Sequence, residues 1–281
     1  MQNNVFYTNK TLNVSGKLID LRSPAVMGIL NVTPDSFYDG GKFTVLDNIR
    51  SHVNDMLKEG AMFIDVGGYS SRPGAIDISE KEESERVLPV LELIVKEFPQ
   101  ALVSIDTFRS TIARHAIEAG ASVINDISGG DLDEKMFETV ASLKVPYILM
   151  HMRGTPQTMK GLTQYEDLIK EMIFYFREKI QKLHQIGVTD VIVDPGFGFA
   201  KTIEQSFEIL HHLDAFQVLG KPILAGLSRK SMIWKTLGTD AKGALNGTTA
   251  LNSIALSKGA NILRVHDVKE AVECARLFEK I

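Results

Sequence analysis

Eight short apolar runs, each closed or interrupted by polar residues, set the strongest limit on how this chain can fold. They are AVMGIL closing at Asn31, MFIDV before Gly67-Gly68, ALVSID with Asp106-Thr107, and SVIND with Asn125 and Asp126. PYILMHM reaching His151, VIVD closing at Asp194, PILAGLS before Arg229-Lys230, and NILRVHD with Arg264 and His266 complete the series. Helical patterns separate most of them, and strands that alternate with helices pair in parallel through right-handed crossovers. Eight such units close into a barrel. A doubly wound sheet would announce a phosphate loop early, and neither GxGxxG nor GxxxxGK followed by Ser or Thr occurs. The predicted fold is α/β, a (β/α)8 TIM barrel over about residues 25–281, in one domain spanning 1–281. That length suits a barrel of about 250 residues.

Local signals refine this outline. Residues 5–21 alternate apolar and polar side chains about Ser15-Gly16, which predicts a β-hairpin covering one end of the barrel. Ser79 with Glu82 predicts a capping box, and Pro89 is expected to kink or restart the helix that follows. Between Tyr165 and Gln185, Leu168, Met172, Phe176, Ile180 and Leu183 recur at helical spacing, with Gly187 as the stop. Such a stripe is core packing.

Composition excludes several functions. A net charge of −4 argues against a general nucleic-acid binder. Cys274 is the only cysteine, so neither an internal disulfide nor a cysteine metal cluster can form. MQNNVFYTNK lacks the apolar core of a signal peptide, and no run of roughly 18 apolar residues could span a bilayer. The expectation is a cytoplasmic protein without membrane or nucleic-acid partners.

Barrel active sites lie at the C-terminal ends of the strands. Those ends carry Asn31, Asp106, Asn125, His151, Asp194, Lys230, Arg264 and His266, too many polar groups for packing alone. Asp106, Asn125 and Asp194 offer acceptors and an amide, suited to a flat neutral heterocycle rich in N–H donors. Lys230, Arg264 and His266, with Arg72, offer positive charge for a phosphate-type anion. Two connections, TPDSFYDGGKF (33–43) and GGYSSRPGA (67–75), carry paired glycines and are expected to act as lids over the mouth.

At this point the sequence resembles a known family. MGILNVTPDSFYDGG, GGYSSRPGA, SIDTFR, INDISGG, MHMRGTPQTM, DPGFGFAKT, GLSRKSMI and LRVHDV stand in the order found in dihydropteroate synthase, over about residues 25–270. The resemblance implies a TIM barrel of folate biosynthesis, a homodimer. It implies a transferase that joins 4-aminobenzoate to 6-hydroxymethyl-7,8-dihydropterin diphosphate, with Mg2+, releasing diphosphate. Carried over residue by residue, Asp106, Asn125, Asp194 and Lys230 resemble the pterin hydrogen-bonding set. Met150 and Phe199 resemble its apolar neighbours, and Arg264 the side chain lying across the ring. Asn31, Arg72, Arg264 and His266 resemble the diphosphate site, with Mg2+ near Asn31 and Asp35. Phe37, Ser71, Arg72, Pro73, Phe199, Lys230 and Ser231 resemble the 4-aminobenzoate pocket.

One departure stands out. The second loop commonly reads GGESTRPG in the family, whereas here Tyr69 replaces the acidic residue and Ser71 the threonine. The resemblance also implies a dissociative reaction, in which diphosphate leaves before the amine attacks, so the residues must stabilise an anion and exclude water. A pterin-binding methyltetrahydrofolate methyltransferase would share the barrel and an Asp/Asn pocket, but has no use for the SRKS and RVHD anion-binding residues. A Schiff-base aldolase built on Lys230 is disfavoured because that lysine follows its strand.

Overall fold

The structure is a computed structural model that describes residues 10–32, 42–71 and 76–281. It opens on two antiparallel strands, β1 (Thr11–Val14) and β2 (Lys17–Asp20). The turn between them uses positive φ at Ser15 (51°) and Gly16 (79°), the backbone twist that a two-residue hairpin requires. Asn13 Oδ1 accepts from the Gly16 amide at 3.0 Å and steadies that turn. The predicted hairpin is therefore present over its described part; residues 5–9 lie outside the described residues.

Eight parallel strands follow: β3 (Ala25–Asn31), β4 (Phe63–Gly67), β5 (Leu102–Asp106), β6 (Val123–Asp126), β7 (Tyr147–Met150), β8 (Val191–Asp194), β9 (Leu224–Ala225) and β10 (Ile262–Val265). Their order in space is β8-β7-β6-β5-β4-β3-β10-β9. The ring closes between β8 and β9 through a parallel bridge at Val193 and Ile223, where the Val193 amide donates to Pro222 O at 2.9 Å. This is the (β/α)8 barrel the alternating pattern predicts.

The helices are α1 (Lys42–Glu59), α2 (Glu80–Glu97), α3 (Ser110–Glu118), α4 (Met136–Leu143), α5 (Leu168–Gln185), α6 (Ile203–His211), α7 (Ser231–Thr236), α8 (Leu245–Ser257) and α9 (Val268–Phe278). In α5 all five stripe residues, from Leu168 to Leu183, are buried against the sheet. The capping expectation changes in detail. Ser79 Oγ accepts the Glu82 amide at 3.1 Å, but the Glu82 carboxylate pairs with Arg86 one turn on. The reciprocal box forms instead at Thr202 and Gln205 of α6. Nor does Pro89 restart its helix, since α2 runs through it. Pro89 and Glu85, the residue whose carbonyl loses its bond, are both on the exposed face, where that carbonyl is open to solvent.

Period-two alternation sorts the strands into two layers. Outward residues such as Ile64, Val66, Val103, Ile105, Leu149 and Val193 pack under the helices. Inward residues Phe63, Val123, Ile148, Ile192, Leu224 and Ile262, near the N-terminal ends of their strands, meet Leu12, Val14 and Leu21 of the hairpin segment. The hairpin thus plugs the N-terminal end and leaves the opposite end to chemistry. Leu12 has no exposed surface, so Leu12→Ala should cost about 2–5 kcal/mol in a urea denaturation measurement. A loss below about 0.5 kcal/mol would show that the plug is not part of the cooperative core.

Candidate active site

The same alternation that puts Phe63, Val123, Ile192 and Ile262 at the barrel floor puts Asp65, Asn125, Asp194 and Arg264 one step above them. Arg264 is the centre of this polar layer. Its Nε donates to Asp65 Oδ2 at 2.6 Å and its Nη2 to Asp106 Oδ2 at 2.7 Å. Asn125 Nδ2 also donates to Asp65 Oδ2, at 2.9 Å. Asp65 is fully buried, and its Oδ1 finds no partner among the described residues.

One guanidinium faces two carboxylates, so a negative charge is left over. Burial raises the Asp106 carboxyl to about 7; Arg264 opposes the rise, and repulsion from Asp65 adds to it. Burial alone would push Arg264 down, but Asp65 and Asp106 together hold it firmly charged. Gly67 stands beside Asp106 in the register, where a Cβ would make an ordinary contact at 3.4 Å with Asp106 Cβ.

A second group stands across the mouth. Asp194 Oδ1 accepts the Gly196 amide at 2.8 Å, and burial raises its carboxyl while Lys230 restrains the rise. Lys230 Nζ donates to Phe197 O at 2.5 Å and stands 4.9 Å from the centroid of the Phe199 ring. Burial lowers the Lys230 ammonium to about 8, with Asp194 working against the shift. Between the two charges lies Gly226, whose missing Cβ would be 3.9 Å from both Asp194 Oδ2 and Lys230 Nζ. The turn after β8 needs its glycine: Gly196 has φ +66°, and a Cβ there would sit 2.3 Å from His151 O.

At the rim, Ser228 Oγ lies 3.0 Å from His266 Nδ1 and accepts the His266 amide at 3.1 Å. Arg229 grips Asp267 with two donors, at 3.0 and 2.5 Å. These contacts tie the ends of β9 and β10 together. Met150 and Phe199 share an apolar cluster with Ile127, Met152 and Met159. Asn31 ends β3 opposite Gly67, Ser71 lies partly exposed after β4, and Ser231 begins α7 directly after Lys230. Asp35, Phe37, Arg72 and Pro73 lie outside the described residues, as do residues 33–41 of the first expected lid and 72–75 of the second.

The polar strand ends do not all converge. His151 faces outward, where Lys201 Nζ reaches its Nδ1 at 3.0 Å and Tyr175 packs edge-on at 4.8 Å between centroids. Burial, with help from Lys201, lowers this imidazole to about 2, so it is neutral. It follows Met150, whose side chain takes the inward place. Conversely, the sequence reading passed over Asp65, Lys201 and Ser228. For Asp65 the signal was available: a carboxylate inside the buried run MFIDV needs a partner.

Asp106 generates a pH test. Its folded pKa lies above the ordinary value, so between about pH 4 and 7 the folded chain holds a proton that the unfolded chain has lost. Stability from this group is present at low pH and is lost as pH rises through that window. Urea midpoints across the window should therefore fall less in Asp106→Asn than in the parent chain. Parallel pH profiles would contradict the raised Asp106 pKa.

Comparison with known proteins fits this site. A family model described as "Pterin binding enzyme" matches residues 27–266. The dihydropteroate synthase of Escherichia coli (strain K12) is 43% identical over 95% of each chain. A crystal structure of the Yersinia pestis dihydropteroate synthase in a sulfonamide drug complex superposes with a TM-score of 0.90 at 40% identity, covering 96% of this chain and 98% of that one. The Xanthomonas albilineans dihydropteroate synthase with 4-aminobenzoic acid gives a TM-score of 0.90 at 37% identity, over 97% and 98%. With its barrel, its inward Asp/Asn/Arg layer and these relatives, the chain belongs to the dihydropteroate synthases, transferases of the pterin binding enzyme family.

Proposed function

We propose that this chain joins 4-aminobenzoate to 6-hydroxymethyl-7,8-dihydropterin diphosphate, giving 7,8-dihydropteroate and diphosphate. The observation that carries the reading is the polar layer across the mouth, with Asp106 and Asn125 on one side of Arg264 and Asp194 with Lys230 on the other. A pterin edge presents several N–H donors and ring acceptors. Two carboxylates, an amide and an ammonium match it, and Met150 and Phe199 supply apolar neighbours. The relative solved with 4-aminobenzoic acid supports the second substrate.

In this reading the C–O bond to diphosphate breaks first, because the pterin ring delocalises the resulting cation. The amine nitrogen of 4-aminobenzoate then bonds to the methylene carbon and sheds its proton. No side chain has to move a proton for carbon–oxygen cleavage. Arg264 and the Ser228-bound His266 stabilise the departing anion, and Phe199 helps keep water from the cation. Ser71 and Ser231, with Phe37, Arg72 and Pro73, form the proposed 4-aminobenzoate pocket.

Mg2+ fits this donor set as a substrate-borne ion. Among the described residues no cluster of three or more His, Cys, Asp or Glu side chains could hold a metal alone. Asn31 offers a hard oxygen at the end of β3, and Asp35 is the proposed second ligand, the few-ligand pattern of an Mg2+ that arrives with phosphates. When bound, Mg2+ supplies charge stabilisation to the leaving diphosphate. The reading also carries a cytoplasmic homodimer. Among the described residues no helix is long and apolar enough to cross a membrane. Exposed Leu245 and Ile254 on α8 and Leu277 on α9 offer apolar surface to a second copy.

The test is diphosphate release from the two substrates in a coupled assay. The parent chain should turn over only with both present. Arg264→Ala should lower kcat about a hundredfold or more, the scale of one lost preorganised donor, while circular dichroism shows the fold intact. Near-normal turnover in that variant would remove the arginine from its role.

A further inference from the structure

Tyr69, the residue that departs from the family's usual acidic one, is held from three sides. Its hydroxyl accepts from Gln157 Nε2 at 2.8 Å. Its ring meets Phe108 edge-on, with 5.0 Å between centroids. The Arg109 guanidinium stands 5.6 Å from the same ring. Only 8% of the residue is exposed. The three partners come from two different connections at the C-terminal end of the barrel: Phe108 and Arg109 follow β5, and Gln157 follows β7. Tyr69 itself stands between Gly67, the end of β4, and Ser71.

The charge balance explains why a neutral side chain suits this place. Arg109 is already matched by the buried Glu83 at 2.5 Å, with Asp77 at 3.6 Å, and its Nη2 donates to Ile78 O at 2.6 Å. A carboxylate at position 69 would bring a third acid to one guanidinium. Tyrosine instead offers a ring face for the cation and a hydroxyl for the amide of Gln157, satisfying both without added charge.

We infer that Tyr69 and Gln157 form a latch that fixes the backbone leading to Ser71, making Tyr69 a positioning residue for 4-aminobenzoate. The inference rests on the proposed function, and it predicts a split between substrates. The pterin layer is built on Asp65, Asn125, Asp194 and Arg264, none of which touches the latch, so pterin diphosphate should not sense it.

The test is a double-mutant cycle on the full chain with Tyr69→Phe and Gln157→Leu, which remove the acceptor and the donor while keeping the ring and the bulk. Each single variant should raise KM for 4-aminobenzoate about three- to tenfold, the factor for one neutral hydrogen bond. The double variant should be no worse than either single, with kcat and KM for pterin diphosphate unchanged. Hydrogen exchange, which needs no turnover, should quicken at the amides of residues 67–71 equally in all three variants. Unchanged exchange, additive KM effects, or KM rising for both substrates together would overturn the latch. A parent chain that protects these amides yet releases no diphosphate would overturn the functional reading instead.

Discussion

Arg264 bridging Asp65 and Asp106 is the interaction on which the open end of the barrel depends. A bare carboxylate inside an apolar ring would cost several kcal/mol, and so would a bare guanidinium. Together they are tolerable, and the geometry of their pairing then dictates the rest of the layer. Asp65 orients Asn125, and Arg264 is held across the pore by strands β4 and β5, on the far side of β3 from its own β10. The cluster holds one more carboxylate than it has cations, and Asp106 is raised chiefly by burial, with repulsion from Asp65 adding to the shift and Arg264 opposing it. A ligand that donates N–H groups to those carboxylates would relieve what the protein leaves unbalanced. The unpartnered Asp65 Oδ1 belongs to the same unfinished network.

The loop after β8 shows a second way of stabilising a buried charge. Lys201 Nζ lies against the carbonyls of His151 at 3.1 Å, Gly196 at 3.0 Å and Phe199 at 2.9 Å, as well as against His151 Nδ1. An ammonium only donates, so the neutral imidazole accepts at Nδ1. Burial pushes this lysine well below its usual pKa even though Asp194 opposes the shift. Its effect is to gather backbone oxygens that would otherwise lack donors and so to fix the turn on which Asp194 and Phe199 depend. The conformation that brings these carbonyls together is available because Gly196 and Gly198 take positive φ.

The barrel could be read from the chain because its periods are unambiguous. The α5 stripe and the alternating strand runs each leave only one face for the core. Asp106 and Asp194 stood out as polar residues that end apolar strands, and Asn125, Lys230 and Arg264 as polar residues at or near the C-terminal ends of such runs, where a polar side chain must find an outlet. His151 misled that rule, because β7 turns its last inward position to Met150 and sends the histidine to Lys201. Asp65 escaped a search of the polar residues that close the apolar runs, although a carboxylate inside the buried run MFIDV already calls for a partner. Pro89 does not restart its helix, because a proline costs a helix one bond and here that bond lies on the exposed face. How Tyr69 is held could not be read locally, because its partners arrive from two other crossovers.

The central claim is that the inward Asp65–Arg264–Asp106 cluster is what shapes the mouth for a pterin. The most direct measurement is the calorimetric affinity of 6-hydroxymethylpterin for Asp65→Asn, a variant that keeps the volume of the side chain and removes its charge. If Asp65 sets the position of Arg264 and Asn125, the affinity should fall by about tenfold or more, as for a lost charge-assisted hydrogen bond, in a chain whose circular dichroism is unchanged. An affinity equal to that of the parent chain would contradict the claim.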